Sequence, residues 1–234
     1  MPLPDTHGRR VAALFGNIAR WYDVLNRLLS AGLDRRWRRT MVEGLPPGPT
    51  VVLDLAAGTL DVSCEICRQH PEAQVVAVDF SLPMLARGAS KRQGKAIFPV
   101  QADARRLPLP DACADAITIA FGIRNIRPRQ EAYAEMHRVL RPKGHLVILE
   151  FGTGQRRIWG GLYNWYLQRL LPTLGRLVSR DPEAYRYLAE TITAFPNEEA
   201  LATELHEAGF TNVQWHALTS GIVFLHHATK PEDS

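Results

Sequence analysis

Short runs of apolar residues alternate along the chain with segments in which apolar residues recur three and four positions apart. The runs "TVVLDLA", "AQVVAVDF", "AIFPVQAD", "ADAITIAFG" and "GHLVILEF" have the length and the aliphatic content of buried strands. The segments between them, among them "DVSCEICRQH", residues 82–91 and "PRQEAYAEMHRVL", have the spacing of amphipathic helices. Repeated β–α units with buried strands predict an α/β fold with a doubly wound, mostly parallel sheet.

Two helical additions are predicted around this core. Residues 11–29 carry one apolar stripe with helical spacing, and we assign residues 1–45 to an N-terminal helical segment. Residues 155–195 form a predicted helical insertion. After it, the helix "NEEALATELHEAGF" leads into "TNVQWHAL" and "GIVFLHHATK", which could pair as a hairpin at the sheet edge. We expect residues 1–234 to form a single domain.

Acidic residues stand at or near the carboxyl ends of the first three strands, the edge at which doubly wound sheets bind ligands. Asp54 lies within the first strand, Asp79 ends the second, and Asp103 follows the third. A carboxylate at the end of the second strand accepts hydrogen bonds from ribose hydroxyls. Gly58 follows the first strand and, lacking a Cβ, lets a ligand approach the backbone. Together these residues predict a nucleoside-binding site.

The turn "LDLAAGTLD" differs from a phosphate-binding loop. A dinucleotide requires converging backbone N–H groups at a glycine-rich helix start, whereas this chain has Leu60 and Asp61 there. Asp61 brings negative charge close to the place a phosphate would occupy. We therefore expect a ligand without phosphate, and S-adenosylmethionine, with its sulfonium, adenosine and methionine zwitterion, meets this condition. Leu60 is interpreted as the first apolar residue of the helix.

Charge is distributed unevenly along the chain. Residues 1–40 contain eight Arg and three Asp, residues 151–180 contain five Arg and no acid, and the formal net charge of the whole chain is +4. The two basic segments, also rich in apolar and aromatic residues, are either solvated helix faces or a surface for an anionic partner, a membrane or a nucleic acid.

Composition narrows the cellular setting. No apolar run approaches the ~20 residues that cross a bilayer, and the N-terminus lacks the pattern of a signal peptide. Three cysteines argue against a disulfide framework and fit a reducing cytoplasm.

The longer motifs resemble one family. They are "WYDVLNRLLSAGLDRRWRR", "LDLAAGTLD", "VDFSLPMLARG", "FGIRNIRPRQEAYAEMHRVLRPKGHLVILEF", "AYRYLAETITAFPNEEALATELHEAGF" and "SGIVFLHHATK". The chain is similar to the UbiE/COQ5 family, the C-methyltransferases of ubiquinone and menaquinone biosynthesis. The resemblance implies the Rossmann-like fold of the class I S-adenosylmethionine-dependent methyltransferases. It also implies contacts with that cofactor from Thr59, Asp79, Asp103 and Ala104, alongside Asp54 and Gly58 from the strand ends.

The same resemblance implies a substrate side of the site. The residues that would face a quinol ring are Tyr22, Asp23, Asn26, Arg124 and Asn125. Three positions depart from the family's usual residues, since Leu60 replaces a frequent Gly, Ala120 a Ser and Asp34 a His.

Methylation of a ring carbon requires electron density that a phenolate supplies. A phenol has a pKa of ~10, and a nearby cation lowers such a pKa by ~1–3 units. Arg124 is therefore predicted to stabilise the phenolate, with the proton leaving through Asp23 or water, and Tyr22 and Asn125 complete the predicted catalytic set. The alternative is that Arg124 is a buried ion-pair partner.

The sequence thus predicts an S-adenosylmethionine-dependent C-methyltransferase acting on a reduced prenylated quinone, a demethylmenaquinol or a demethylated ubiquinol precursor. We expect a cytoplasmic enzyme, peripherally associated with the anionic inner face of the membrane, without a metal, and we consider a homodimer as its assembly. A methyltransferase for another small aromatic acceptor is the second hypothesis. An RNA-binding protein on the same scaffold is the third hypothesis. It ranks last because the sequence has no RNP-type aromatic strand motif, and no nucleic-acid partner is expected.

Overall fold

Seven strands form one sheet in the order β3-β2-β1-β4-β5-β7-β6 within the part of the chain that the computed structural model describes, residues 6–152, 187 and 190–232. The strands are β1 (Val51–Leu55), β2 (Gln74–Asp79), β3 (Ile97–Gln101), β4 (Ala114–Ala120), β5 (Leu140–Phe151), β6 (Thr211–Leu218) and β7 (Val223–Thr229). Strands β1 to β5 pair in parallel, whereas β7 runs antiparallel to both β5 and β6. The predicted mostly parallel sheet and its edge hairpin are therefore confirmed.

The helices of the described residues lie between these strands or precede them. They are α1 (Thr6–Leu29), α2 (Leu33–Glu43), α3 (Asp61–Gln69), α4 (Leu82–Gly88), α5 (Arg129–Val139) and α6 (Glu198–Glu207). Helix α6 shows why such a segment starts where it does: the Asn197 side chain accepts the Ala200 N–H at 2.8 Å, and acidic residues fill the first turn. Most of the predicted insertion at 155–195 lies outside the described residues, although residues 190–193 are helical.

Side chains of the central strands pack into two apolar cores, one on each face of the sheet. Leu53 and Leu55 of β1 pack with Ile117 of β4 and with residues of α5 and α6. Val52 points the other way and packs with Met41 of α2 and residues of α3. Successive strand residues point to opposite faces, and both faces are covered, so the strands are apolar throughout.

Helix α1 crosses the carboxyl edge of the sheet. It begins at Thr6, before the predicted start at residue 11, and packs against α2 and α4. The Ser81 hydroxyl, just before α4, donates to the Ala12 carbonyl at 3.4 Å. A Cβ added to Gly16 would lie 3.6 Å from the Pro83 ring, which shows how closely the two helices approach. Helix α1 is consequently placed to cover the edge at which ligands bind.

Candidate cofactor and substrate site

A cleft with about 850 Å³ of empty space opens at the carboxyl ends of β1, β2, β3 and β4. Helix α1 forms its roof through Val11, Phe15 and Tyr22, and the Phe15 and Tyr22 rings meet edge to face at 6.0 Å. His7 Nε2 lies 3.3 Å from the Asn125 carbonyl and joins the start of α1 to the turn after β4. The cleft therefore lies at the edge where doubly wound sheets bind their ligands.

Asp79, the last residue of β2, lines the cleft and organises the turn after β1. Its two oxygens accept the backbone N–H of Gly58 at 2.8 Å and of Ser81 at 2.7 Å. Burial raises the pKa of the Asp79 carboxyl, and these two hydrogen bonds oppose that shift. The backbone fixes the carboxylate in one orientation, and its remaining lone pairs can accept ribose hydroxyls.

Asp103, Ala104 and Arg105 line the cleft beyond β3. The Arg105 guanidinium donates hydrogen bonds to the Asp103 carboxylate, with Nη2 2.6 Å from Oδ2. The backbone N–H of Arg105 donates to Asp103 Oδ1 at 2.9 Å. Burial would raise the pKa of Asp103, but the hydrogen bonds and charge of Arg105 outweigh it and hold the pKa below its usual value. Three predicted cofactor residues, Asp79, Asp103 and Ala104, thus come together with Gly58 at one cleft.

The turn between β1 and α3 carries unusual backbone conformations. Ala56, Gly58 and Leu60 have positive φ angles of 52°, 52° and 69°, and Phe121 after β4 has 56°. Left-handed backbone costs a non-glycine residue roughly 1–2 kcal/mol, and such residues concentrate where a ligand is held. A Cβ added to Gly58 would lie at an ordinary contact distance of 3.4 Å from the Met84 methyl, so it is the positive φ, more than crowding, that favours glycine here.

Leu60 corrects one interpretation. It is the N-cap residue of α3 in the left-handed region, and α3 begins at Asp61, so Leu60 is not the first residue of the helix. Its side chain is fully buried, and a Cβ on Gly88 would lie 2.6 Å from its Cγ. Leu60 therefore keeps a conformation suited to glycine because its side chain fills the space between α3 and α4.

Asp54 occupies a different position from the other predicted carboxylates. It is buried inside β1, where the Ser63 hydroxyl donates to it at 2.5 Å and the Thr118 hydroxyl at 3.1 Å. Burial raises the pKa of Asp54 to about 7. Asp54 is not among the described residues that line the cleft, and it joins β1 to α3 and β4.

Asp23 and Thr59 belong to a network of hydrogen bonds and ion pairs that links α1 to the turn between β1 and α3. The Thr59 hydroxyl donates to Asp23 Oδ1 at 2.5 Å, and Lys91 Nζ lies 2.5 Å from Asp23 Oδ2. Lys91 also reaches Asp61 Oδ1 at 2.6 Å, and Arg38 reaches the other Asp61 oxygen at 3.2 Å. The sequence reasoning missed Lys91, because one Lys within "SKRQGK" carries no signal of its distant partners.

Tyr22 on α1 and Asn125 in the turn after β4 approach the cleft from different elements. Both line the cavity, and the Asn125 Oδ1 atom is buried without a hydrogen-bond partner among the described residues. Asn26 lies one helical turn beyond Tyr22 on α1 and is partly exposed. A buried acceptor without a donor is the kind of group that a ligand hydroxyl satisfies.

Arg124, next to Asn125 in the turn after β4, forms a buried ion pair. Its Nη1 atom donates to Glu150 Oε1 at 2.6 Å and to the Phe121 carbonyl at 2.5 Å, while the guanidinium faces the Phe151 ring. Burial raises the pKa of Glu150, and the Arg124 charge opposes that rise. This arrangement matches the alternative raised by the sequence, in which Arg124 is the partner in a buried ion pair. The sequence reasoning missed Glu150, although an acid inside the apolar run "GHLVILEF" was a visible signal.

Solved structures share this fold over nearly the whole chain. An S-adenosylmethionine-dependent methyltransferase from Thermotoga maritima, a possible histamine N-methyltransferase, matches with a TM-score of 0.69 and 16% identity, covering 94% of this chain and 99% of that one. The [4+2]-cyclase SpnF matches with a TM-score of 0.70 and 16% identity over 96% of both chains. At such identities the likeness shows the fold alone, that of the S-adenosylmethionine-dependent methyltransferases, and the cyclase shows that this fold can host other chemistry.

Sequence comparison is more specific. The model of the ubiE/COQ5 methyltransferase family matches residues 4–230. Proteins named demethylmenaquinone methyltransferase from Mycolicibacterium paratuberculosis and Mycolicibacterium gilvum are 46% and 47% identical over 228 residues, covering 97% of this chain and 96% and 97% of theirs. The chain belongs to the ubiE/COQ5 methyltransferase family and is an S-adenosylmethionine-dependent methyltransferase, as its motifs predicted.

None of the described helices combines the length and the apolar character that crossing a bilayer requires. The described His, Cys, Asp and Glu side chains form no group of three or more that could hold a metal ion.

Proposed function

We propose that the protein transfers a methyl group from S-adenosylmethionine to a ring carbon of a reduced prenylated quinone in menaquinone biosynthesis, with a demethylmenaquinol as substrate. The observation that carries this is one cleft lined by the nucleoside-type carboxylates Asp79 and Asp103 and also by Asn125, whose Oδ1 acceptor is buried without a partner among the described residues. The names of the relatives support the naphthoquinol over the benzoquinol.

The residues of the cleft fit S-adenosylmethionine. Asp79 offers acceptors for the ribose, Gly58 removes the obstacle of a Cβ, and Asp103 with Ala104 is positioned for the adenine end. The absence of a glycine-rich phosphate loop agrees with a cofactor that has no phosphate. Bound there, the cofactor supplies an electrophilic methyl group on a sulfonium.

The chain contributes positioning and control of charge. Asn125 Oδ1 accepts the hydrogen bond of a quinol hydroxyl, and Tyr22 packs against the ring from the α1 side. As the hydroxyl loses its proton, electron density reaches the adjacent carbon, which forms the new C–C bond while the C–S bond breaks; loss of the ring C–H proton restores aromaticity. Arg124 retains an unpartnered Nε donor for the phenolate oxygen among the described groups, and α1 excludes water.

We also propose where the enzyme acts and which of its sides faces the membrane. Exposed apolar side chains, Val24 on α1 and Leu82 at the start of α4, lie on the two helices beside the cleft, each 55% exposed. Residues 1–40 are strongly basic. A prenyl tail partitions into the bilayer, and we place the α1–α4 side of a cytoplasmic enzyme against an anionic membrane surface.

The test is direct. The purified protein is incubated anaerobically with S-adenosylmethionine and either a reduced demethylated naphthoquinol or a benzoquinol, and mass spectrometry identifies the product. We expect ring methylation of the naphthoquinol. Methylation of the benzoquinol alone would show that the substrate is a benzoquinol. If neither quinol is methylated but another small hydroxylated aromatic compound is, the proposed substrate class is wrong.

A further inference from the structure

Ionising the quinol requires a group that takes up the phenolic proton, and the carboxylates near the cleft can be compared by their hydrogen bonds. Asp79 accepts a backbone N–H on each oxygen, and Asp103 is held on both oxygens by Arg105. Asp23 is occupied by Thr59 on one oxygen and by Lys91 on the other. Asp54 receives the Ser63 and Thr118 hydroxyls.

Glu150 differs from all of these. Its Oε1 atom accepts Arg124 Nη1 at 2.6 Å and the Phe151 N–H at 2.9 Å, whereas Oε2 is buried and has no hydrogen-bond partner among the described residues. The side chain is 2% exposed. A buried carboxylate oxygen without a donor is costly unless a further group completes it.

Further buried polar atoms lack partners among the described residues, and two of them belong to the turn after β4 that carries the Glu150 ion pair. Arg124 Nε, Asn125 Oδ1 and the Tyr187 hydroxyl are also buried without partners in the described part of the chain. Asn125 lines the cleft directly, and Phe121, whose carbonyl binds the Arg124 guanidinium, lines it too. Burial raises the pKa of Tyr187 while the charges of Arg124, Arg127 and Arg10 lower it, so this phenol lies near the same cations.

We propose that Glu150 is the proton acceptor for the quinol hydroxyl, directly or through one water, and that Arg124 passes from Glu150 to the phenolate as its counter-ion. This step rests on the function proposed above. The O–H bond breaks, the proton goes to Glu150 Oε2, and the negative charge moves from the carboxylate to the quinol oxygen. Arg124 is paired with one anion before and after the transfer, so the buried site never holds an unpaired positive charge.

The surroundings of Glu150 suit this exchange. Arg124 is the charged side chain that acts on it, and strand β7 places Phe224 opposite it. Burial raises the pKa of Glu150 above its usual value, and the Arg124 charge opposes that rise. By contrast, Lys91 and Thr59 occupy both oxygens of Asp23, the acceptor considered first.

The test is single-turnover methyl transfer to a demethylated naphthoquinol. The rate is measured anaerobically from about pH 6 up to about pH 10, the pKa of a phenol being ~10. We expect Glu150→Gln to bind S-adenosylmethionine as the parent does in calorimetry and to transfer the methyl group about 10²–10⁴-fold more slowly at pH 7, the range of a lost general base. The deficit should shrink as pH rises, because hydroxide then ionises the quinol. Glu150→Asp should recover part of the rate at pH 7.

Glu204→Gln is the matched control. Glu204 forms an ion pair with Arg129 at 2.5 Å between α5 and α6 that is less buried than the Glu150 pair, and neither residue is among the described residues that line the cleft. It should lose stability and keep the parent rate and pH profile. A Glu150→Gln protein with the parent rate, a rate deficit constant across pH, or a loss of cofactor binding would each overturn the assignment; if Glu150→Gln does not fold, the pH profile of Glu150→Asp decides. A parent enzyme that methylates no quinol would instead refute the proposed function.

Discussion

At the scale of single residues, Leu60 shows how side-chain packing can override backbone preference. Its φ of 69° is favourable for glycine, yet its side chain is fully buried against Gly88. We expect both Leu60→Ala and Leu60→Gly to destabilise the protein, because removing a buried Leu side chain costs ~2–5 kcal/mol. Gly should be the better of the two by about 1 kcal/mol, since it relieves the left-handed strain.

Chemical denaturation of the two Leu60 variants measures this difference. In a helix interior the order is reversed, and Gly is worse than Ala by ~1 kcal/mol. A more stable Leu60→Ala would therefore mean that residue 60 is helical in solution. We also expect S-adenosylmethionine affinity to stay within a few-fold in both variants, because the cleft contacts Gly58 and not Leu60.

Asp54 links stability to pH. Its folded-state pKa of about 7 lies above the unfolded value of ~3.9, so the folded state binds the proton more tightly. The stability that Asp54 contributes is fully present below pH ~4 and is lost as pH rises through about 7. We expect Asp54→Asn, which is neutral at every pH, to compare more favourably with the parent at pH 8 than at pH 5. Urea titrations at both pH values test this, and an equal difference at both would contradict it.

The sequence predicted some site residues better than others, for a physical reason. Asp79 and Asp103 stand where strands end, and strand ends converge at one edge, so position along the chain was enough. Lys91 and Glu150 act through partners brought together only by tertiary packing. Leu60 was misjudged because its neighbour Gly88 lies on another helix.

At the scale of elements, α1 is held over the cleft by few polar contacts. Lys91 bridges Asp23 on α1 and Asp61 on α3, and its Nζ also lies 3.1 Å from the Thr59 hydroxyl. We expect Lys91→Met to weaken S-adenosylmethionine binding about fivefold, as the loss of ~1 kcal/mol predicts, because the two carboxylates left behind repel each other and loosen α1.

Hydrogen exchange and calorimetry check this prediction. Exchange in residues 6–29 should accelerate in Lys91→Met. Lys95→Met is the control, since Lys95 Nζ donates to the Lys91 carbonyl at an exposed position. Unchanged affinity together with unchanged exchange in Lys91→Met would show that apolar packing alone holds the helix.

At the scale of the whole molecule, the order of strands and helices followed from hydrophobic periodicity, because buried parallel strands are apolar on both faces and the helices between them are not. The roof formed by α1 did not follow from periodicity. An amphipathic helix indicates that one face is buried but not against which element. Its contacts with Ser81 and Pro83 are long-range and became visible only in the folded chain.

Membrane association is the prediction that belongs to the molecule as a whole. We expect liposome binding to require anionic lipid and to weaken with salt, with ~1 kcal/mol from each basic residue near the surface. Replacing Arg156, Arg157 and Arg169 with Gln, positions outside the described residues, should reduce binding. Leu82→Ser should also reduce it, because Leu82 is 55% exposed beside the cleft. Phe98→Ser is the matched control: Phe98 is 51% exposed, but it lies on the edge strand β3 and on neither of the two helices. Equal sedimentation with neutral and anionic vesicles, or equal losses from Leu82→Ser and Phe98→Ser, would rule out the α1–α4 side as the membrane face.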